Sequence, residues 1–205
     1  MSFNLPHTTE VSKPLPKKAI FAKFGLKAAQ RDHFDEDISR LVISHEITTR
    51  SVPALATVDI QAIFVVTVLL KRRDFDRHNI ELLTKLIPQK MVIALLHDEQ
   101  VQFAIFHERL FFAPWQPADE ASLPLTGLSL DDVWQSFVTT IGDIDIKDGN
   151  TLTEQITLDE QQEKLRKQIA ALETKMRKEK QPRKKLELHQ QILKLKSESN
   201  GSKHN

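Results

Sequence analysis

The sequence predicts an α+β protein: a mixed α/β sheet domain covered by helices over residues 1–150, then an antiparallel helical hairpin or coiled coil over residues 151–205. Three observations predict it. Apolar runs with period-two alternation lie between polar turns from Val58 to Ala113. Apolar stripes at helical spacing stand before, among and after them, the mixture of a sheet domain with helices on at least one face. From Leu158 onward, leucines recur every seven residues.

In chain order, residues 1–25 read as an irregular arm over the domain, because Lys13-Pro14-Leu15-Pro16-Lys17-Lys18 cannot be a helix interior. Leu26 to about Glu46 reads as a helix with Phe34, Ile38, Leu41 and Val42 on one stripe. Val58 to Leu70 is the strongest strand, with Asp59 and Gln61 marking its half-exposed start. A short helix over 77–87 carries Ile80, Leu83 and Ile87 and stops at Pro88. Met91–Leu96 and Val101–Ile105 are strands joined by the turn His97-Asp98-Glu99-Gln100, and Leu110–Ala113 is an edge strand. Ser129 and Asp132 form a capping box for a helix that reaches Ile141 and ends at Gly142. Asp143 to Thr153 is a polar linker.

The tail has a second capping-box pattern, Thr157 to Glu160. Behind it Leu158, Leu165, Ile169, Leu172 and Met176 trace a heptad seam, supported by acid-before-base pairs Glu160–Lys164, Glu163–Lys167 and Glu173–Arg177. This arm, 158–178, is about 30 Å long at 1.5 Å per residue. Pro182 breaks the helix near Lys180 and opens a second one, on which Leu188, Ile192 and Leu195 continue the seam. Such a stripe must bury itself against its own domain, a partner or a second copy of the chain. Between the arms, Lys175, Arg177, Lys178, Lys180, Arg183, Lys184 and Lys185 make a basic tip suited to phosphates, and a disordered tail is expected after the second arm. No aromatic interleaves these cations, so base stacking is not expected.

Charge follows the same division. From Ile156 onward there are thirteen Lys and Arg against seven Asp and Glu, whereas Met1 to Gln155 carries sixteen against twenty-one. The front is acidic and the tail basic, which suggests a different partner for each. With 40% hydrophobic residues the chain can bury a core. It has no cysteine, which excludes disulfides, thiolate metal sites and a thiol nucleophile. It has neither an 18-residue apolar run nor a signal-peptide pattern after Met1, so a cytoplasmic setting is expected.

Catalytic patterns are sparse. No phosphate-binding glycine loop or nucleophile elbow is present. His33 with Asp37 reads as a surface polar pair, His97 and His107 as cross-strand neighbours, Asp143 and Asp145 as linker polarity, and Trp115 and Trp134 as packing residues. A metal-dependent nuclease would place carboxylates and a lysine on adjacent strands; Asp59, with Glu108 or Asp98, is the candidate, but the lysine is missing. The residues themselves therefore assign no catalytic set, cofactor or metal.

Several stretches together resemble one bacterial family, domain of unknown function family 4391: Val11-Ser12-Lys13-Pro14-Leu15-Pro16-Lys17, Val58-Asp59-Ile60-Gln61-Ala62-Ile63, Leu86-Ile87-Pro88, Leu125-Thr126-Gly127-Leu128-Ser129-Leu130-Asp131 and Leu172-Glu173-Thr174-Lys175-Met176-Arg177-Lys178-Glu179-Lys180-Gln181. The resemblance implies an α/β body with a helical C-terminal hairpin and no catalytic motif to carry over. It also implies an accessory subunit of restriction or phage-defence machinery, since members are associated with genes for DNA helicases and DNA methyltransferases. The expected function is thus a non-catalytic adaptor that binds a helicase or methyltransferase through the hairpin and DNA through its basic tip. The alternatives are a divergent nuclease centred on Asp59 and a homodimeric structural protein.

Overall fold

A computed structural model describes residues 2–201. The tail expected to be disordered lies, beyond Gly201, outside the described residues. The chain divides into two units, Met1–Asp145 and Ile146–Asn205.

The first unit is built on a mixed, mostly antiparallel sheet of seven strands. They are β1 (Glu10–Pro14), β2 (Ile38–Ile47), β3 (Ile63–Leu70), β4 (Lys90–His97), β5 (Gln100–His107), β6 (Arg109–Phe112) and β7 (Gln116–Pro117). Strands β1 to β6 lie in sequence order, and β7 also pairs with β5. Only β3 and β4 run parallel. A parallel pair needs a crossover, and α3 (Arg77–Thr84) supplies it.

Helices α1 (Lys17–Phe24) and α2 (Ala28–Asp37) join α3 over one face of the sheet. There Ile20 and Phe34 pack with Val66 and Val68 of β3 and Ile93 and Leu95 of β4. The opposite face is covered near β5 and β6 by α4 (Leu130–Gly142), which buries Val133, Trp134, Phe137, Val138 and Ile141. The Phe3 ring meets Phe103 edge-on at 5.3 Å, and Phe3 O accepts from Leu123 N, which fixes the N-terminal segment there.

Residues 2–25 are not an irregular arm: they hold a 3-10 turn at His7–Thr9, strand β1 and helix α1. Pro14 ends edge strand β1, where a missing donor faces no neighbour, and Pro16 is the N-cap of α1. The helix expected over 26–46 stops at Asp37; Ile38, Leu41 and Val42 belong to β2 instead. Asp37 explains the switch. Its fully buried carboxylate accepts from Arg72 Nε (2.6 Å), Asp76 N (2.8 Å) and Asn79 Nδ2 (2.8 Å), tying the end of α2 to the loop before α3. The β-branched residues that follow then pair with β3, with bulges between Ile38 and Arg40 and between Ile43 and His45.

The strong strand begins at Ile63, not Val58. Residues 58–60 form a loop whose backbone N–H groups donate to the Asp131 carboxylate at 3.2–3.4 Å, so a side chain replaces the strand partner. The Ser129–Asp132 capping box is present. Helix α4 ends one residue late: Gly142 is its last residue and Asp143 is the left-handed cap at φ 50°. Gly142 is small for a packing reason, since a Cβ there would stand 2.8 Å from Ile144 Cδ1 and 3.1 Å from Phe111.

Among the described residues the second unit holds two helices, α5 (Leu152–Lys178) and α6 (Pro182–Gly201), which contact one another. The capping box lies at Thr151 and Glu154, not Thr157 and Glu160; Thr157 Oγ1 instead donates to Thr153 O inside the helix. With 27 residues, α5 extends to about 40 Å, longer than the expected 30 Å. Glu160–Lys164 and Glu163–Lys167 close at 2.7 Å each, whereas Glu173 pairs with Lys196 of α6 at 2.8 Å rather than with Arg177. No helix among the described residues is long and apolar enough to cross a membrane.

Candidate functional site

Two regions carry features that the fold does not consume. One is the turn between α5 and α6. Pro182 starts α6, and Glu179 Oε1 accepts from Gln181 N at 2.9 Å, which shapes the link. That hydrogen bond, with the nearby lysine charges, holds the Glu179 carboxyl below its ordinary range. All seven cations named above are exposed. Among the described residues one of them has an ion-pair partner, Arg183 with Glu187 at 3.5 Å. Along the seam, Leu158, Leu165, Ile169, Leu172, Met176 and Leu195 are half-buried, while Leu188 and Ile192 are buried. The sequence reading missed Leu186 and Leu193, which are 58% and 54% exposed. Seven residues apart, they form a second stripe on α6, roughly opposite Leu188, Ile192 and Leu195 at 100° per residue. That spacing was the available signal.

The other region is the part of the sheet that α4 leaves bare, a groove of about 450 Å³ over β1 to β4. The second bulge of β2 borders it, where Ser44 is the extra residue between Ile43, paired with Val66, and His45, paired with Val65. Ser44 Oγ donates to Val65 O at 3.1 Å and accepts from Thr67 Oγ1 at 2.9 Å. His45 Nδ1 lies 3.1 Å from the same oxygen. Val65 O and Nδ1 thus stand at equal distance from the one Ser44 hydroxyl, and which atom of the Ser44–His45 pair donates is set by the imidazole tautomer. Nε2 is buried beside the Phe3 ring and without a hydrogen-bond partner, on a residue only 1% exposed. Such an orphan costs about 1–3 kcal/mol. Burial pushes the imidazole pKa down, against a smaller upward pull from Glu10.

The nuclease candidates do not assemble. Asp59 is exposed in the loop pinned by Asp131, not on a strand. Glu108 occupies the turn between β5 and β6, at the opposite end of β5 from Asp98, a strand of eight residues and about 25 Å away. His97 pairs with Gln100 and His107 with Arg109, so the two histidines also stand at opposite ends of β5. His33 reaches Asp76 at 3.1 Å, not Asp37. Trp134 is buried, with Nε1 donating to His107 Nδ1 at 3.4 Å, and Arg73 lies over the Trp115 ring at 5.0 Å. Among the described residues no three His, Asp or Glu side chains form a group that could hold a metal ion.

No curated protein matches this chain, and no solved structure does. The profile described as a domain of unknown function, DUF4391, spans residues 3–198, which includes the sheet, the bulged strand and both C-terminal helices, so the chain belongs to the DUF4391 family.

Proposed function

We propose that this protein is a non-catalytic adaptor of a bacterial DNA restriction or anti-phage defence complex. In this reading α5 and α6 form an antiparallel hairpin that docks on a DNA helicase or methyltransferase, and the basic turn meets DNA phosphates. The observation that carries it is the turn itself: seven exposed cations within eleven residues, six without an ion-pair partner among the described residues. A solvated turn neutralises such charge cheaply with acidic neighbours; leaving it open favours a polyanion. The Glu173–Lys196 pair and the half-buried seam support the hairpin. The reading takes its choice of machinery from the resemblance of family members to accessory subunits.

Two measurements test it. Fluorescence anisotropy with a mixed-sequence duplex should show binding whose logarithm falls linearly with log salt, by about 0.9 per phosphate neutralised. Reversal of Lys178, Lys180, Lys184 and Lys185 to Glu should remove most of that slope. Co-purification with a purified helicase or methyltransferase from the same locus, after nuclease digestion, should be lost in the Leu165→Lys, Leu172→Lys double variant. Salt-independent binding, or capture that survives the double variant, overturns the corresponding half of the reading.

A further inference from the structure

We propose that the arginines and aromatic rings gathered beside β6 form a platform for single-stranded nucleic acid, with bases stacked at Trp115, Phe112 and Phe75 and phosphates held by Arg73 and Arg77. The surface belongs to the first unit, shares no residue with the basic turn and does not depend on the adaptor reading.

Strand register places the rings. Ala104 of β5 lies in the core under the helices and is paired with Phe112; two residues along, Phe106 is paired with Leu110. Phe106, Leu110 and Phe112 therefore share the face that α1, α2 and α3 cover. At β6, the last strand of the sheet order, that cover runs out: all three stay half-buried. Trp115 follows three residues on, and Phe75 reaches in from the loop before α3, both half-buried as well. The Phe75 and Phe112 rings meet at 6.0 Å with their planes tilted by 46°.

Two arginines lie over these rings. The Arg73 guanidinium is 5.0 Å from the centre of Trp115, and that of Arg77 is 5.0 Å from the centre of Phe112. Both residues are exposed, and neither has an ion-pair partner among the described residues. The nearby acids are engaged elsewhere: Asp37 holds Arg72, and Asp76 holds His33 and caps α3. Arg77 also stands where a helix disfavours it. It is the first residue of α3, at the positive end of the helix dipole, and the first turn contains no acidic residue. The patch is local, since Met1 to Gln155 carries more acid than base.

Unpaired cations call for an anion, and half-exposed rings call for a flat partner. An acidic peptide satisfies the arginines but offers nothing to stack. An apolar helix covers the rings but buries two charges. A duplex brings phosphates with its bases already stacked on one another. A single strand brings phosphates and free bases together, and the outer face of each guanidinium extends the stacking surface of the ring beneath it.

The experiment uses the full chain with Lys178, Lys180, Lys184 and Lys185 changed to Gln, so that contact through the turn does not contribute and each reading fails separately. Fluorescence anisotropy with a labelled, mixed-sequence single strand of about 12 nucleotides should show saturable binding, about tenfold or more tighter than to a duplex of the same length. The Trp115 indole N–H resonance should shift while that of buried Trp134 stays in place. Arg73→Gln with Arg77→Gln changes only exposed residues; it should weaken binding about tenfold or more and lower the salt slope by about 1.4, two phosphates at about 0.7 each. Trp115→Ala should weaken binding about tenfold at an unchanged slope, and Trp115→Phe should restore most of it. If Trp115→Ala impairs folding, the indole shift decides the stacking. No saturable binding, a duplex bound equally well, or displacement of the strand by polyglutamate of equal charge overturns the proposal. So does an unaffected arginine variant, or a Trp115 resonance that does not move.

Discussion

Replacing Asp37 with Asn probes the point where a helix gives way to the sheet. The carboxylate offers Oδ1 to Arg72 and Oδ2 to both Asp76 N and Asn79 Nδ2. Asparagine has one oxygen. Either it faces Arg72 and turns an NH₂ toward two donors, or it faces the loop and turns the NH₂ toward a guanidinium. At about 1 kcal/mol for each of two lost hydrogen bonds, plus a buried donor left opposing a donor, the variant should lose about 3 kcal/mol. For a chain of this size that lowers Tm by about 6–12 °C. Trp115 and Trp134 both lie in the first unit, so tryptophan fluorescence during urea unfolding reports on it selectively. The difference must also depend on pH. Burial works to raise the Asp37 pKa, but the hydrogen bonds from Asp76, Arg72 and Asn79 outweigh it and hold it below the ordinary aspartate value. A depressed carboxylate stabilises fully above its unfolded pKa and loses that contribution as pH falls through the folded value. The gap between wild type and variant should therefore be complete at pH 7 and narrow as pH falls below about 4. A loss under 1 kcal/mol, or a gap that widens in acid, refutes the assignment of Asp37 as the anchor of this junction.

Gly127→Ala should cost upward of 2 kcal/mol, because φ is +115° and a Cβ would stand 2.2 Å from Asp132 Cβ, the residue that caps α4; the urea midpoint reads it. Asp131→Ala should leave the fold standing while amides 58–60 lose hydrogen-exchange protection, since that carboxylate is their acceptor. On α6, Leu188→Ala with Ile192→Ala should lower helicity by circular dichroism, because both side chains are buried. Leu186→Lys with Leu193→Lys should leave helicity unchanged, because both are exposed.

What was legible in the sequence depended on how far a pattern was local. Strands β4, β5 and β6 could be read because alternation, a polar turn and an edge all fall within a few residues. The Ser129 cap was legible for the same reason. Residues 38–47 were not: Phe34, Ile38 and Leu41 fit a helical stripe as well as a strand with bulges, and only the Asp37 contacts with Arg72, Asp76 and Asn79 decide between them. Val58 to Gln61 alternated correctly for a strand, but Asp131, more than seventy residues away, holds their N–H groups. The cations of the turn were legible because exposure is the ordinary fate of a run of lysines. His45 was not, because its burial comes from a bulge in β2 and from the Phe3 ring forty-two residues away, neither of which has a pattern in one dimension.

The two faces of the sheet account for where function can reside. On the face under α1, α2 and α3, Val66, Val68, Ile93 and Leu95 are buried, and a change at any of them acts through stability. On the other face α4 covers only the β5–β6 half, and Leu69 at 42% exposure marks the limit of that cover. An apolar floor left open is unfavourable unless something contacts it often enough to matter. The bulge adds a second cost by burying His45 with Nε2 unpaired, although a regular strand would have avoided the extra residue at Ser44. Two unfavourable features thus fall at one place in the sheet, a pattern expected at functional or strained sites. The groove, rather than the acidic side chains scattered over the turns, is therefore where a ligand should be sought on this face.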